Sequence, residues 1–562
     1  MNGAATGEAH PVAPAAGGGL IGLRAAAAVI AAACLLPLVA VFVAAALGTT
    51  DTFAHLLDTV LGEFVANTAI LVVLVATGVF LVGTGAGWLV ATTEFPGRKA
   101  FEVLLILPLA FPAYVLAYAY THILDHPGIV QTTLRSVTGW GPRDYWFPEI
   151  RSTPGAALML VLVLYPYVYL LARAAFLSQS AKPFIAARTL GRSAAGAFLS
   201  ISLPMARPAI AAGVMLAVME TIADFGTVSY FGVRTFATGI YTSWFSMADR
   251  GAAAQLALCL LLFALTLVGI ERASRGGARF DQGRTAVGHG RILLRGSRAW
   301  TAAALCAAPV FLGVVAPTIA LFVMGLGSEQ SLLSERYLGF LRNTLLLAGA
   351  AAALTVLAAI ALGYLHRLRP GPAAAGALAV GRLGYSVPGG VIAVGLLVPF
   401  AALDNAFDRW MEATFGIDVG LLVTGSVAAL VLAYMIRFMA AAIAAVEAGQ
   451  SALSHNLDAA ARVLGCGPYR AFLRVHLPIM APSVLTAVLI VFVDVMKELP
   501  ATLIMRPFNF DTLAVQAHRL AADERLAGAA VPSLVIVAAG LVPVLMLSRR
   551  FGGIRKGAPE EG

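Results

Sequence analysis

Four carboxylates, Glu220, Asp224, Asp494 and Glu498, are the residues of this sequence best placed to do chemistry. Each lies inside an apolar run, and they come as two pairs of i, i+4 spacing. In a helix, i and i+4 share a face. A charge at mid-membrane costs roughly 2.5–3.5 kcal/mol on insertion scales, so four would cost on the order of 10 kcal/mol without partners. Carboxylate oxygens suit hard cations, so the four predict a weak, hydrated and transient cation path, with no fixed metal site. The opposing reading is structural: Lys497 stands three residues from Asp494 and would neutralise it, and the others would be protonated or bonded across helices. The residues alone leave both readings open. Asp224-Phe225-Gly226 and Glu498-Leu499-Pro500 also predict local helix breaks, which spans tolerate where the backbone lines a cavity.

The segments that carry these pairs are two copies of one pattern. The first copy reads IAARTLG (Ile185 to Gly191), then Phe198, Leu203-Pro204 and Pro208; the second reads AAARVLG (Ala459 to Gly465), then Phe472, Leu477-Pro478 and Pro482. Every landmark is displaced by the same 274 positions (191 to 465), which implies two homologous halves. Ala186-Ala187 and Ala460-Ala461 favour helix, Gly191 and Gly465 suit a sharp turn, and the prolines suit the start of the next helix. Two short helices joined at a glycine would form a ridge on a membrane face. A single such loop reads as an ordinary connection; the duplication at fixed offset favours docking.

The elements that position these residues are membrane spans. Of 562 residues, 60% are hydrophobic and only 12% charged, with mean hydropathy +0.86; a soluble domain carries about 25% charged residues. Twelve apolar runs are long enough to cross a bilayer: 25–48, 65–92, 101–123, 154–177, 208–231, 251–271, 299–326, 343–365, 379–403, 420–445, 482–505 and 527–548. The second span of each half opens with Asn-Thr (Asn67-Thr68, Asn343-Thr344) and the third carries Pro112 or Pro388, each pair 276 apart (67 to 343, 112 to 388). The fold class expected is an all-α polytopic membrane protein of two tandem six-span halves. The divisions are a disordered N-terminus (1–24), a first half (25–271), a basic linker (272–298), a second half (299–548) and a tail (549–562).

The positive-inside rule puts both termini, both repeated loops and the Arg-rich linker in the cytoplasm. The 124–153 loop, outside, is too short for a domain. The scattered Cys34, Cys259, Cys306 and Cys466 imply neither disulfides nor a zinc site. His122 and His126, with Asp125 between them, have the i, i+4 spacing of a metal pair but no third ligand, and Arg234 and Arg506 read as solvated loop charges. No Gly-Lys dipeptide occurs, so there is no P-loop, and no catalytic constellation is present: the chain is read as a transport subunit and not an enzyme.

The repeated loops resemble the coupling loop of membrane subunits in bacterial binding-protein-dependent ABC importers, of the MetI-like type. ETIADFGTVSYFG (Glu220 to Gly232), FATGIYTSWF and DVMKELPATLIMRPFNFDTLA (Asp494 to Ala514) resemble the two halves of ferric-iron permeases. The coupling motif departs from the family where its Glu is Ile185 or Ala459, with Asp458 one position early. The resemblance implies a fused permease in the bacterial inner membrane, docking a cytoplasmic ATPase (two copies) at Ala186, Ala187, Gly191, Leu203, Pro204 and at Ala460, Ala461, Gly465, Leu477, Pro478. It also implies a periplasmic iron-binding protein above and alternating access, with ATP and Mg used by the partner and no cofactor bound here. Thiamine permeases share the architecture. An ion-coupled secondary transporter may also have 6+6 repeats, with the carboxylates as relays.

Overall fold

The computed structural model describes residues 17–48, 51–275, 291–328, 330, 334–451 and 453–553. The expected disordered N-terminus, the middle of the linker and the end of the tail fall largely outside those residues. Where the N-terminal expectation can be compared it is corrected: the first helix is Gly17–Leu47, so 17–24 are helical. Leu20, Ile21 and Leu23 simply continue the apolar run.

Among the described residues, eleven helices are long and apolar enough to cross a membrane. A bent pair, Arg98–Ala110 with Ala113–Thr138, turned by 94°, brings the number to twelve if it is counted as one span. The only strands there are two-residue segments, Thr93–Glu94 and Ile292–Leu293, paired in parallel. They return the end of the linker to the first half.

The third span of each half is broken, where a continuous run was expected. In the first half Arg98–Leu104 leads through the turn Leu107–Ala110 to Pro112 and then Ala113–Leu124. In the second, Pro372–Leu383 leads through Gly384–Ser386 to Pro388 and then Gly389–Phe415. The physical cause is the repeated proline, because the residue before a proline is pushed out of the helical region. Phe111 and Val387 are both extended, with ψ of 129° and 115°. The fourth span of the second half also begins later than expected, at Val427. Residues 420–426 belong instead to a turn whose backbone N–H groups are taken up by Asp404 and Asp408.

The halves exchange their outer spans. Gly17–Leu47 packs on Pro372–Leu383 and Gly389–Phe415 of the second half, and Leu526–Gly553 packs on the Leu107–Ala110 turn and Ala113–Leu124 of the first. Glycine permits the first contact. A Cβ on Gly395 would come within 2.3 Å of the Pro37 carbonyl oxygen, and small residues let membrane helices approach backbone to backbone. Two apolar cores result. One joins the central spans of the first half to Ser297–Leu326 and the last span; the other joins those of the second half to the first span and Arg250–Arg275.

The repeated Asn-Thr pairs have a common structural job. Asn67 donates to the Arg234 carbonyl (3.0 Å) and Asn343 to the Asp511 carbonyl (3.1 Å), while the Thr68 and Thr344 hydroxyls accept from the backbone N–H of Phe236 and Leu513. Each pair ties the start of the second span to the segment that follows the fifth, and so holds in place the stretch that bears the carboxylates.

Candidate translocation site

The fifth spans are Leu203–Ala223 and Leu477–Met496, and both stop inside the apolar runs 208–231 and 482–505. Asp224 is already extended (ψ 128°), and short helices restart at Gly226–Tyr230 and Pro500–Met505. The helix breaks are therefore where the sequence placed them, but the i, i+4 pairs do not lie on one continuous helix face. Asp224 accepts from the N–H of Thr227 (3.1 Å) and Val228 (3.2 Å) and from the Thr227 hydroxyl (3.0 Å). Glu498 accepts from the N–H of Ala501 (2.9 Å) and Thr502 (3.0 Å) and from the Thr502 hydroxyl (2.6 Å). A restarting helix leaves its first N–H groups without partners, and in each half one carboxylate satisfies them.

All four carboxylates nevertheless line one cavity at the junction of the halves, together with Tyr114, Tyr167, Arg437 and Lys497. Glu220 keeps 31% of its side chain exposed there, whereas Glu498 keeps 1%. Lys497 Nζ lies 2.9 Å from Asp494, the neutralisation that the spacing suggests. Arg437, on the fourth span of the second half, reaches Glu498 at 3.5 Å and Glu220 at 4.0 Å. Among the described residues no group of three or more His, Cys, Asp or Glu side chains is gathered closely enough to hold a metal ion, so the four carboxylates line the cavity without converging on a point.

Arg437 was missed in the sequence, although the signal was there: a single arginine in the apolar run VAALVLAYMIRFMAAAIAA, and charge in a span is a functional pointer. Arg234 and Arg506 are paired, with Glu63 (3.1 Å) and Asp511 respectively. Asp125 is engaged by Arg151 (3.0 Å) and by the His126 N–H.

The two repeated loops share their turn geometry and two backbone hydrogen bonds. Helix Ala181–Thr189 ends with Leu190 N–H on Ala186 O, Gly191 at φ +84° and Arg192 N–H on Ala187 O. Helix His455–Val463 ends with Leu464 N–H on Ala460 O, Gly465 at φ +75° and Cys466 N–H on Ala461 O. A second short helix follows each (Ala194–Ala197, Pro468–Ala471), then a wide turn into Leu203-Pro204 or Leu477-Pro478. Phe198 packs on Trp88 and Phe472 on Tyr364, with ring centroids 4.9 Å apart in both. Large apolar side chains stand on the outer surface among exposed arginines (Arg188, Arg192, Arg470, Arg474): Leu190 is 85% and Leu464 81% exposed, with Ile185, Leu199, Val463 and Tyr469 also exposed.

The departure at the motif's Glu also has a structural counterpart. Asp458 turns inward, 2.7 Å from both Arg367 and His476, so its charge is met within the chain.

Residues 83–275, most of the first half, match the family of inner membrane components of binding-protein-dependent transport systems. A probable molybdenum ABC transporter permease protein of Haloferax volcanii is 32% identical over 220 residues, which are 39% of this chain and 75% of that protein. The chain belongs to this permease family. The permease is also similar over nearly its whole length to the Fe(3+)-transport system permease protein FbpB 2 of Haemophilus influenzae, at 26% identity over 92% of this chain and 95% of the relative. A putative 2-aminoethylphosphonate transport system permease protein of Salmonella choleraesuis is 27% identical over 41% of this chain and 82% of its own length. Relatives of the last kind are spanned by less than half of the chain, whereas the full-length match covers both halves, as a fused permease requires. The permease is a multi-pass membrane component of a transport system that depends on a binding protein, and it is not an enzyme.

Proposed function

We propose that this permease moves ferric iron from a periplasmic binding protein to the cytoplasm by alternating access. The observation that carries the reading is the charge balance of the central cavity: four carboxylates face two cationic side chains, Arg437 and Lys497. In a low-dielectric wall that surplus favours a cation, and oxygen ligands suit a hard one. The full-length similarity to a permease named for Fe(3+) transport supports the same cargo.

Energy comes from a separate ATPase, two copies of which dock on the paired loops at Ala186, Ala187, Gly191, Leu203 and Pro204 and at Ala460, Ala461, Gly465, Leu477 and Pro478. Exposed apolar residues clustered on such a ridge favour a protein partner. ATP and Mg are used by that partner, and this chain binds no cofactor. Both termini and the linker face the cytoplasm. Glu220, Asp224, Asp494 and Glu498 line the path and give the ion weak, transient contacts.

A second reading is an oxyanion cargo, favoured by the two cavity cations and by relatives named for molybdenum and phosphonate transport. Uptake of labelled ferric iron, molybdate and thiamine by cells lacking the gene, with and without complementation, decides the cargo. Iron uptake that follows the gene supports the proposal. Molybdate or thiamine uptake that follows it, with iron unchanged, removes the metal path and leaves the coupling assignment intact.

A further inference from the structure

The central cavity is not symmetric. Both of its cations come from the second half; the facing residues of the first half's fourth span, Leu160, Val163, Leu164 and Tyr167, carry no charge. Arg437 is 12% exposed and bridges the pseudo-twofold, from Glu220 of one half to Glu498 of the other. The fold makes room for it. A Cβ on Gly389 would stand 2.0 Å from Arg437 Nη1 and 2.9 Å from Glu498 Oε1. Gly389 directly follows Pro388, and the matching residue after Pro112 is Ala113. The half that carries the arginine thus has glycine where the other half has a side chain.

The pairing is loose. Charge-assisted hydrogen bonds run at about 2.7–2.9 Å, as Lys497 does with Asp494 at 2.9 Å, whereas Arg437 sits at 3.5 and 4.0 Å from its two carboxylates. The space left is also small. The cavity beside Arg437 measures about 90 Å³.

We propose that Arg437 is an internal counter-ion latch: between transport cycles its guanidinium occupies the place of the cationic cargo between Glu220 and Glu498, holds the halves together across the path, and is displaced when cargo enters. The nature of the displacing cargo rests on the ferric-iron reading; the latch itself rests on the geometry.

The test uses the permease purified with its ATPase and reconstituted in proteoliposomes, with ATP hydrolysis measured without substrate and with iron-loaded binding protein. Releasing a latch shifts the conformational equilibrium, so R437Q should raise substrate-free hydrolysis about fivefold or more, the low end of a typical coupling between sites. Gly389→Ala should do the same with every charge retained, because its methyl group displaces the guanidinium. R437K, which keeps the charge, should restore part of the suppression. A merely structural arginine would lower thermal stability without raising hydrolysis. Wild-type substrate-free hydrolysis in Gly389→Ala overturns the latch, and it does so even if R437Q fails to insert. If the variants uncouple hydrolysis but the wild type carries no iron, the latch stands and the ferric reading falls.

Discussion

Asp224 and Glu498 are built into the backbone as well as into the cavity. Each caps a restarting helix, Glu498 taking the two N–H groups on separate oxygens and Asp224 taking both on Oδ1 with the Thr227 hydroxyl on Oδ2; a carboxylate accepts at four sites where an amide offers one oxygen and two competing donors. Asp224→Asn or Glu498→Gln should therefore cost about 1–3 kcal/mol in stability, seen as earlier thermal unfolding of the purified permease. Glu220 bonds to no backbone N–H among the described residues and faces the cavity, so Glu220→Gln should leave unfolding nearly unchanged while uptake falls. If Glu220→Gln unfolds early and Asp224→Asn does not, that division of labour is wrong. The sequence made these residues visible because charge is rare in an apolar run. It could not divide their roles, since an i, i+4 pair reads alike on a continuous helix and across a break. Arg437 is equally visible by that rule, but it belongs to no repeat and so lacks the second signal that marks the carboxylates.

At the scale of elements, the repeated loops were legible because their signal is local. Helix formers, one glycine and one proline at fixed offsets specify helix, turn and helix, and both copies close the turn with the same two backbone hydrogen bonds. The break in the third span was less legible. Pro112 and Pro388 were noticed as a repeat, yet the apolar run on either side hid a 94° bend in the first half, because hydropathy carries length and not direction. The loop geometry permits a sharp test. Gly191 and Gly465 stand at positive φ with no atom within 4 Å of a Cβ built there, so a substitution meets backbone strain and no clash. Valine in this region is a rare conformer, at a cost on the order of 1–2 kcal/mol, which the loop would relieve by changing shape. Gly191→Val and Gly465→Val should insert and retain the cavity, but uptake should fall several-fold while the associated ATPase continues to hydrolyse ATP. Normal uptake in both variants would remove these loops from coupling.

The whole molecule departs most from what the chain alone conveys. Internal duplication divides the sequence near the linker, but the exchanged spans divide the packing elsewhere. Each core is completed by a first and a last span from the opposite half, and no periodicity or hydropathy within one half encodes which partner its outer helices will find. The exchange makes the halves mutually dependent. Without its counterpart, the first half would leave the Ala113–Leu124 side of its core uncovered, and its own first span would have no partner where Gly395 meets Pro37. In the bilayer such surfaces meet lipid, and the lost term is close packing, not hydrophobic burial. A chain cut within 276–290 should therefore assemble when both pieces are co-expressed, giving a complex that co-purifies and transports. Either piece alone should be degraded or aggregate on extraction. A single half that extracts as a monodisperse, protease-resistant species would mean that the exchanged spans are peripheral. In that case the cavity between the halves would be an interface of two self-sufficient units and not the shared core of one.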